Sequence, residues 1–275
     1  MKKQIKIGDD VFARSGHTYV MGILNVTPDS FSDGGRYDSV NEALKRARQM
    51  VLEGVDIIDI GGESTRPGYE PISDEEEIER IVPVIEAIKK HMDIPISVDT
   101  YKSGVAKAAI EAGADMVNDI WGLKHDPKMA ELIADTGAAC CLMHNRKTSD
   151  YEDFMKECLE DLKESVAIAK AAGISDDKII LDPGVGFGKT YEQNLQVLKH
   201  LDRFKTLDYP ILLGTSRKSV IGLTLDLPTE ERLEGTLATT VMAAMAGVSF
   251  VRVHDVEANS RAIAMTEAIL NTQGE

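Results

Sequence analysis

Polar and charged side chains stand at the ends of short apolar runs along the whole sequence. Asn25 closes the run from Tyr19 and leads into a polar, Gly-rich stretch, residues 27–35. Gly61-Gly62-Glu63-Ser64-Thr65-Arg66-Pro67-Gly68 follows the run ending at Ile60. Asp99-Thr100, Asn118-Asp119 and Met143-His144-Asn145-Arg146 end the next three, and Asp182 to Thr190, Gly214 to Ser219 and Arg252 to Asp255 end the last three. One such end could be a local cap; eight in series make a site. Gly188-Lys189-Thr190 matches the tail of a phosphate-binding Walker A loop, but Pro183 stands where that motif wants glycine. The dinucleotide fingerprint fails too, because Lys189 occupies the place of its third glycine. No His-Glu-x-x-His or Cys-x-x-Cys spacing occurs, which disfavours a tight zinc site. A magnesium ion held by substrate phosphates and one or two protein oxygens stays open.

Something must bring these eight ends together. Val- and Ile-rich runs centred on residues 19–25, 56–61, 95–99, 116–120, 138–143, 178–182, 210–214 and 249–254 read as strands. Helical periodicity fills 40–53, 74–91, 102–112, 126–136, 151–172, 191–203, 229–246 and 256–271. Ser73 before Glu76, and Thr229 before Arg232, predict helix starts, while Gly113, Gly137 and Gly173 predict stops. Unbroken βα alternation predicts an α/β fold, a (β/α)8 TIM barrel of one domain, with a doubly wound open sheet as the alternative. In such a barrel the C-terminal strand ends share one face, which is where the polar residues lie. Residues 4–14 predict a short N-terminal β-hairpin turned at Gly8-Asp9-Asp10 and covering the barrel bottom; the expected division is 1–17 hairpin, 18–275 barrel.

A net charge of −15 argues against nucleic acid or an anionic membrane as partner, since both demand clustered cations. The apolar stretch 237–251 is too short to span a bilayer, and residues 1–10 lack the apolar segment of a secretion signal, so a cytoplasmic protein is expected. Cys140, Cys141 and Cys158 read as reduced structural thiols, with the adjacent pair on opposite sheet faces.

The stretch Met21-Gly22-Ile23-Leu24-Asn25-Val26-Thr27-Pro28-Asp29-Ser30-Phe31-Ser32-Asp33-Gly34-Gly35, with Gly61 to Gly68, Asp182 to Thr190, Thr215 to Ser219 and Arg252 to Asp255 in that order, resembles the dihydropteroate synthase family. The resemblance covers nearly the whole chain after the first fifteen or so residues. It implies condensation of a dihydropterin carrying a CH2-pyrophosphate with 4-aminobenzoate, inhibition by sulfonamides, a homodimer, and Mg2+ contacted by Asn25. Asp99, Asn118 and Asp182 would accept from the donor edge of the pterin. Lys218 would donate to its carbonyl and ring nitrogen, beside Gly214. For Asp99 and Asp182 a helix cap is the rival role. Phe187 and Met143 would offer apolar faces, Met143 being equally explicable as core. Asn25, Thr65, Arg252 and His254 would hold the pyrophosphate. Phe31, Arg66, Pro67 and Ser219 would line the aminobenzoate site, and Asp33 would face a developing pterin cation; solvated linker is the alternative for Asp33 and Arg66. The catalytic set is thus Asp33, Lys218, Arg252 and Asn25. A pterin-dependent methyltransferase would share Asp99, Asn118 and Asp182 without needing a pyrophosphate cradle. A silent pterin-binding paralogue would lose residues such as Asn25, Asp33, Arg66 or Lys218, all of which are present.

Overall fold

A computed structural model describes residues 4–13, 16–27, 36–63 and 71–272 of the chain. The chain opens on an antiparallel hairpin, β1 (Gln4–Ile7) and β2 (Asp10–Ala13), paired from Gln4↔Ala13 to Ile7↔Asp10. Gly8 makes the tight turn at φ 59°, a conformation that glycine adopts without steric cost. Strands and helices then alternate. They are β3 (Tyr19–Asn25), α1 (Arg36–Leu52), β4 (Ile57–Gly61), α2 (Asp74–His91), β5 (Ile96–Asp99), α3 (Ser103–Glu111), β6 (Met116–Asp119) and α4 (Met129–Thr136). There follow β7 (Ala139–Met143), α5 (Phe154–Ala171), β8 (Ile179–Asp182), α6 (Tyr191–Lys199), α7 (Leu201–Phe204), β9 (Leu212–Leu213), α8 (Ser219–Leu225), α9 (Leu233–Ala246), β10 (Phe250–Val253) and α10 (Val256–Leu270).

The eight strands β3 to β10 form one parallel sheet in the order β8-β7-β6-β5-β4-β3-β10-β9. A parallel bridge between Leu181 and Ile211, with the Leu181 amide donating to the Pro210 carbonyl at 3.0 Å, joins the outer strands and closes the TIM barrel. The expected order of eight βα units is present, and β10 lies beside β3, so the last strand and the first are neighbours.

Side-chain parity divides each strand in two. Val20, Leu24, Ile58, Ile60, Val98 and Leu142 point outward into the helix layer. Met21, Ile57, Met116, Cys141, Ile180, Leu212 and Phe250 point inward and fill the lower barrel together with Ile5, Ile7 and Phe12 of the hairpin. Ile5 and Ile7 are fully buried, each contributing about 1.5–3 kcal/mol. The hairpin therefore plugs the barrel bottom. Cys140 faces the helices, Cys141 the barrel interior, and all three cysteines are buried free thiols. Among the described residues, no helix is long and apolar enough to cross a membrane.

Four local expectations need correction. The seventh strand shrinks to Leu212–Leu213, because Pro210 has no amide to donate to the ladder. The helix expected over 191–203 breaks at His200, whose φ of −119° and ψ of 35° leave the helical region. Thr229 does not cap a long helix: residues 229–231 form a single 3-10 turn with no side-chain cap, and α9 starts at Leu233. The helix after β9 is α8, which the periodicity did not mark. Ser73 does cap α2, accepting from the Glu76 amide at 3.2 Å, and Gly137 ends α4 in the left-handed region.

Candidate active site

The same parity that fills the lower barrel with apolar side chains puts Asn25, Asp59, Gly61, Asp99, Asn118, Met143, Asp182, Gly214 and Arg252 toward the axis at the C-terminal strand ends. Arg252 on β10 reaches across the barrel. Its Nε donates to Asp59 Oδ2 and its Nη2 to Asp99 Oδ2, each at 2.6 Å, while Asn118 Nδ2 lies 3.4 Å from Asp59 Oδ2. Asp59 is wholly buried and Asp99 nearly so. Burial raises the Asp99 carboxyl to about 7; Arg252 opposes the rise and the Asp59 charge reinforces it. Burial would equally disfavour the Arg252 cation, but the two carboxylates hold it charged. Asp59 Oδ1, Asp99 Oδ1 and the neighbouring Ser97 hydroxyl are buried without a hydrogen-bond partner among the described residues, a costly arrangement that a donor-rich ligand edge would relieve.

A second group faces the first. Asp182 ends β8, accepts from the Gly184 amide at 2.7 Å through Oδ1, and is raised by burial against the pull of Lys218. Lys218, the residue before α8, donates to the Val185 carbonyl at 2.5 Å, and its ammonium stands 4.7 Å from the centre of the Phe187 ring. Burial lowers its pKa to about 8, with Asp182 opposing. Gly214 lies among these groups: a Cβ there would stand in ordinary contact with Asp182 Oδ2 at 3.7 Å, Lys218 Nζ at 3.8 Å and Arg252 Cβ at 3.9 Å. Met143 packs with Tyr101, Ile120, Trp121 and Phe187 in an apolar wall beside the polar floor. Neither aspartate is a helix cap, since α3 starts after Lys102 and Thr190 caps α6.

His254 sits just past β10, with its Nδ1 2.9 Å from the Ser216 hydroxyl, which also accepts from the His254 amide. The next pair outward is Arg217 on Asp255, two bonds of 3.0 and 2.6 Å. Arg252 and His254, expected as one cradle, are thus turned to different partners: Arg252 to the carboxylates of β4 and β5, His254 to the loop after β9. Asn25 Oδ1 and Asp99 flank Gly61, where a Cβ would meet them at 3.7 and 3.6 Å. Ser219 is exposed as the first residue of α8. Phe31, Asp33, Thr65, Arg66 and Pro67 lie outside the described residues.

A floor of buried carboxylates and an amide beside an apolar wall, at the top of a closed barrel, suits a planar heterocycle rich in N–H donors. Residues 21–254 match the model of the pterin binding enzyme family. The chain belongs to that family. The dihydropteroate synthase of Clostridium beijerinckii is 59% identical over 267 residues, 97% of this chain and 99% of that one. Among solved structures, dihydropteroate synthase from Clostridium difficile in the presence of pteroic acid is similar, with a TM-score of 0.91 at 52% identity, covering 94% of this chain and 99% of that one. So is the Xanthomonas albilineans dihydropteroate synthase with 4-aminobenzoic acid, with a TM-score of 0.93 at 39% identity over 99% of this chain and 100% of that one.

Within this member of the family, sequence reading missed two pieces of the site. Asp59 is a single acidic residue in the middle of Ile57-Ile58-Asp59-Ile60; its signal was parity, since it shares the inward face with Gly61. The other is a buried network around Glu63, just past the end of β4. Glu63 accepts from the Tyr101 hydroxyl at 2.8 Å, Lys102 Nζ at 2.7 Å and the Ile72 amide at 3.0 Å, and Lys102 also bonds Glu77 and the Ile72 carbonyl, each at 2.8 Å. Burial alone would raise the Glu63 carboxyl, but these donors hold it below its usual range. Glu63 and Ile72, which precede and follow residues 64–70 in the sequence, are thereby joined to each other and to α2 and the start of α3.

Proposed function

We propose that the protein is a dihydropteroate synthase, a transferase of folate biosynthesis. It condenses (7,8-dihydropterin-6-yl)methyl diphosphate with 4-aminobenzoate to give 7,8-dihydropteroate and pyrophosphate, with the whole chain acting as one cytoplasmic domain. The observation that carries the reading is the set of buried acceptors on Asp59 and Asp99 left without partners among the described residues, at the same end of the barrel as Asp182. Asp99, Asn118 and Asp182 accept from the pterin edge; Lys218 donates to its carbonyl and ring nitrogen; Met143 and Phe187 cover its faces, and Gly214 leaves room for it. Departure of pyrophosphate takes the electron pair of the C–O bond and leaves a methylene cation delocalised into the pterin. The aminobenzoate nitrogen then bonds to that carbon and its proton is released. Asn25, Thr65, Arg252 and His254 receive the leaving oxygens, Asp33 faces the cation, and Phe31, Arg66, Pro67 and Ser219 hold aminobenzoate and, competitively, sulfonamides.

No group of three His, Cys, Asp or Glu side chains able to hold a metal occurs among the described residues. A single amide oxygen such as Asn25 Oδ1 fits Mg2+ that takes its other oxygens from pyrophosphate and water, and such an ion would neutralise the leaving charge. Incubation with both substrates and Mg2+ should yield dihydropteroate and pyrophosphate in equal amounts; pterin binding without product would overturn the assignment in favour of a silent pterin-binding protein. Replacing Asp33 or Phe31 by alanine should lower turnover about 10²-fold while sparing pterin affinity. Equal loss of both would refute the loop roles.

The homodimer is proposed on α9 and α10, which pack on each other and expose Met242, Met245, Met265, Ile269 and Leu270. Light scattering at micromolar concentration should give twice the chain mass, and Met245→Glu with Ile269→Glu should give a folded monomer. A parent protein that is already monomeric would exclude this surface as an interface.

A further inference from the structure

The turn between β8 and α6 carries Phe187 and the carbonyl that receives Lys218, yet its own support comes from behind the site. We propose that Lys189 is a positioning residue for pterin binding: its buried ammonium fixes the Gly184–Phe187 turn and, through it, the Phe187 ring and the Lys218 amine. An ammonium has three donors and no acceptor. Here three acceptors meet it: the Gly184 carbonyl at 2.9 Å, the Phe187 carbonyl at 3.0 Å and His144 Nδ1 at 2.7 Å. With Nδ1 accepting, His144 carries its proton on Nε2, which donates to Asp161 Oδ2 at 3.0 Å. Asp161 is in turn held by Arg146 at 2.6 and 3.1 Å. His144 is neutral in this arrangement, since burial pushes it down to about 4.

The turn is built on glycine. Gly184, Gly186 and Gly188 are all left-handed, and Gly184 approaches so closely that a Cβ would fall 1.9 Å from the His144 carbonyl oxygen. Six polar groups of the turn are directed: the Gly184 amide to Asp182, the Val185 carbonyl to Lys218, the Gly186 amide to Asn194 at 2.6 Å, the Phe187 amide to the Gly184 carbonyl at 3.1 Å, and the Gly184 and Phe187 carbonyls to Lys189. Three conformationally free glycines gain one conformation because a single cation gathers both ends of the turn. The lysine that mimics a Walker A residue in the sequence is thereby occupied inside the protein.

Lys189→Met keeps the aliphatic stem and removes the donors. Titration with 6-hydroxymethylpterin should show about 30-fold weaker binding, as expected when contacts are misplaced by about 1 Å. Hydrogen exchange at the Gly186 and Phe187 amides should accelerate at least about tenfold while the Val98, Val117 and Leu142 amides of the barrel strands keep their protection. The affinity readout rests on the pterin reading above; the exchange readout needs no ligand, so a parent protein that fails to bind the pterin would fault that reading separately. Unchanged affinity in the folded variant, or an exchange increase spread evenly over the strands, overturns the proposal. If Lys189→Met does not fold, Lys189→Gln, which retains two N–H donors, decides by the same readouts. About fivefold weaker binding is then expected, and unchanged binding overturns the proposal.

Discussion

Replacing Arg252 with methionine is expected to lower kcat/KM by about 10²- to 10³-fold and to destabilise the protein by about 3–5 kcal/mol, roughly 10 °C in Tm. Both losses have one cause. Arg252 is the cation between Asp59 and Asp99, and without it two carboxylates on adjacent strands face each other in the barrel interior. The pH dependence separates this explanation from simple loss of packing. Asp99 already titrates near 7 because burial raises it, and removing the guanidinium raises it further. A carboxyl whose folded pKa lies above its unfolded value of about 4 stabilises the fold below pH 4 and loses that contribution as pH rises through the folded value. The Tm deficit of the variant relative to the parent should therefore be smallest near pH 5 and widen toward pH 9. A deficit that is flat or narrows with rising pH would show that charge is not what Arg252 balances. Arg252→Lys restores a cation without the two-pronged geometry, so it should recover more stability than activity.

That dependence follows from where the side chain goes, and here sequence reading reached its limit. Parity and strand order placed Arg252 at the top of the last strand, beside Asn25 on the first, as β10 pairing with β3 bears out. They did not show that the guanidinium crosses to β4 and β5, because a long side chain chooses its partners among all inward groups within reach. Asp59 was the partner that decided the matter, and a lone acidic residue inside an apolar strand carries little signal without its neighbours across the barrel. The eight strands and most helices were legible because one physical demand, burial of an outer face, repeats along each of them. α8 was not: seven residues make barely two turns, and Gly222 sits within them where a Cβ would strike the Arg232 guanidinium. The Gly-rich stretch after β8 was legible as unusual but not as to purpose. Its glycines serve close backbone approach to His144 and Arg146, a contact made between loops far apart in sequence.

The clearest separation of recognition from folding is expected at Asp182. Asp182→Asn should weaken pterin binding about 10³-fold, as when a site built around a hydrogen bond loses its acceptor, while moving Tm by no more than about 3 °C. The substitution is isosteric, and the introduced carbonyl oxygen can keep the 2.7 Å bond from the Gly184 amide, so the turn has no reason to move. Burial makes the Asp182 charge costly, which means that its removal costs the fold little. The change falls on Oδ2, the oxygen beside Gly214. There an NH2 group replaces an acceptor and opposes the N–H edge of the pterin, donor against donor. Lys218 loses the carboxylate that counters its desolvation, so its pKa should fall below about 8 and less of the ammonium should remain at neutral pH. Calorimetric titration with the pterin and a thermal melt of the same sample measure the two effects together. Pterin affinity within tenfold of the parent would mean that the ligand edge is read elsewhere in the barrel. A large fall in Tm with that affinity intact would make Asp182 a support of the β8 loop rather than a contact.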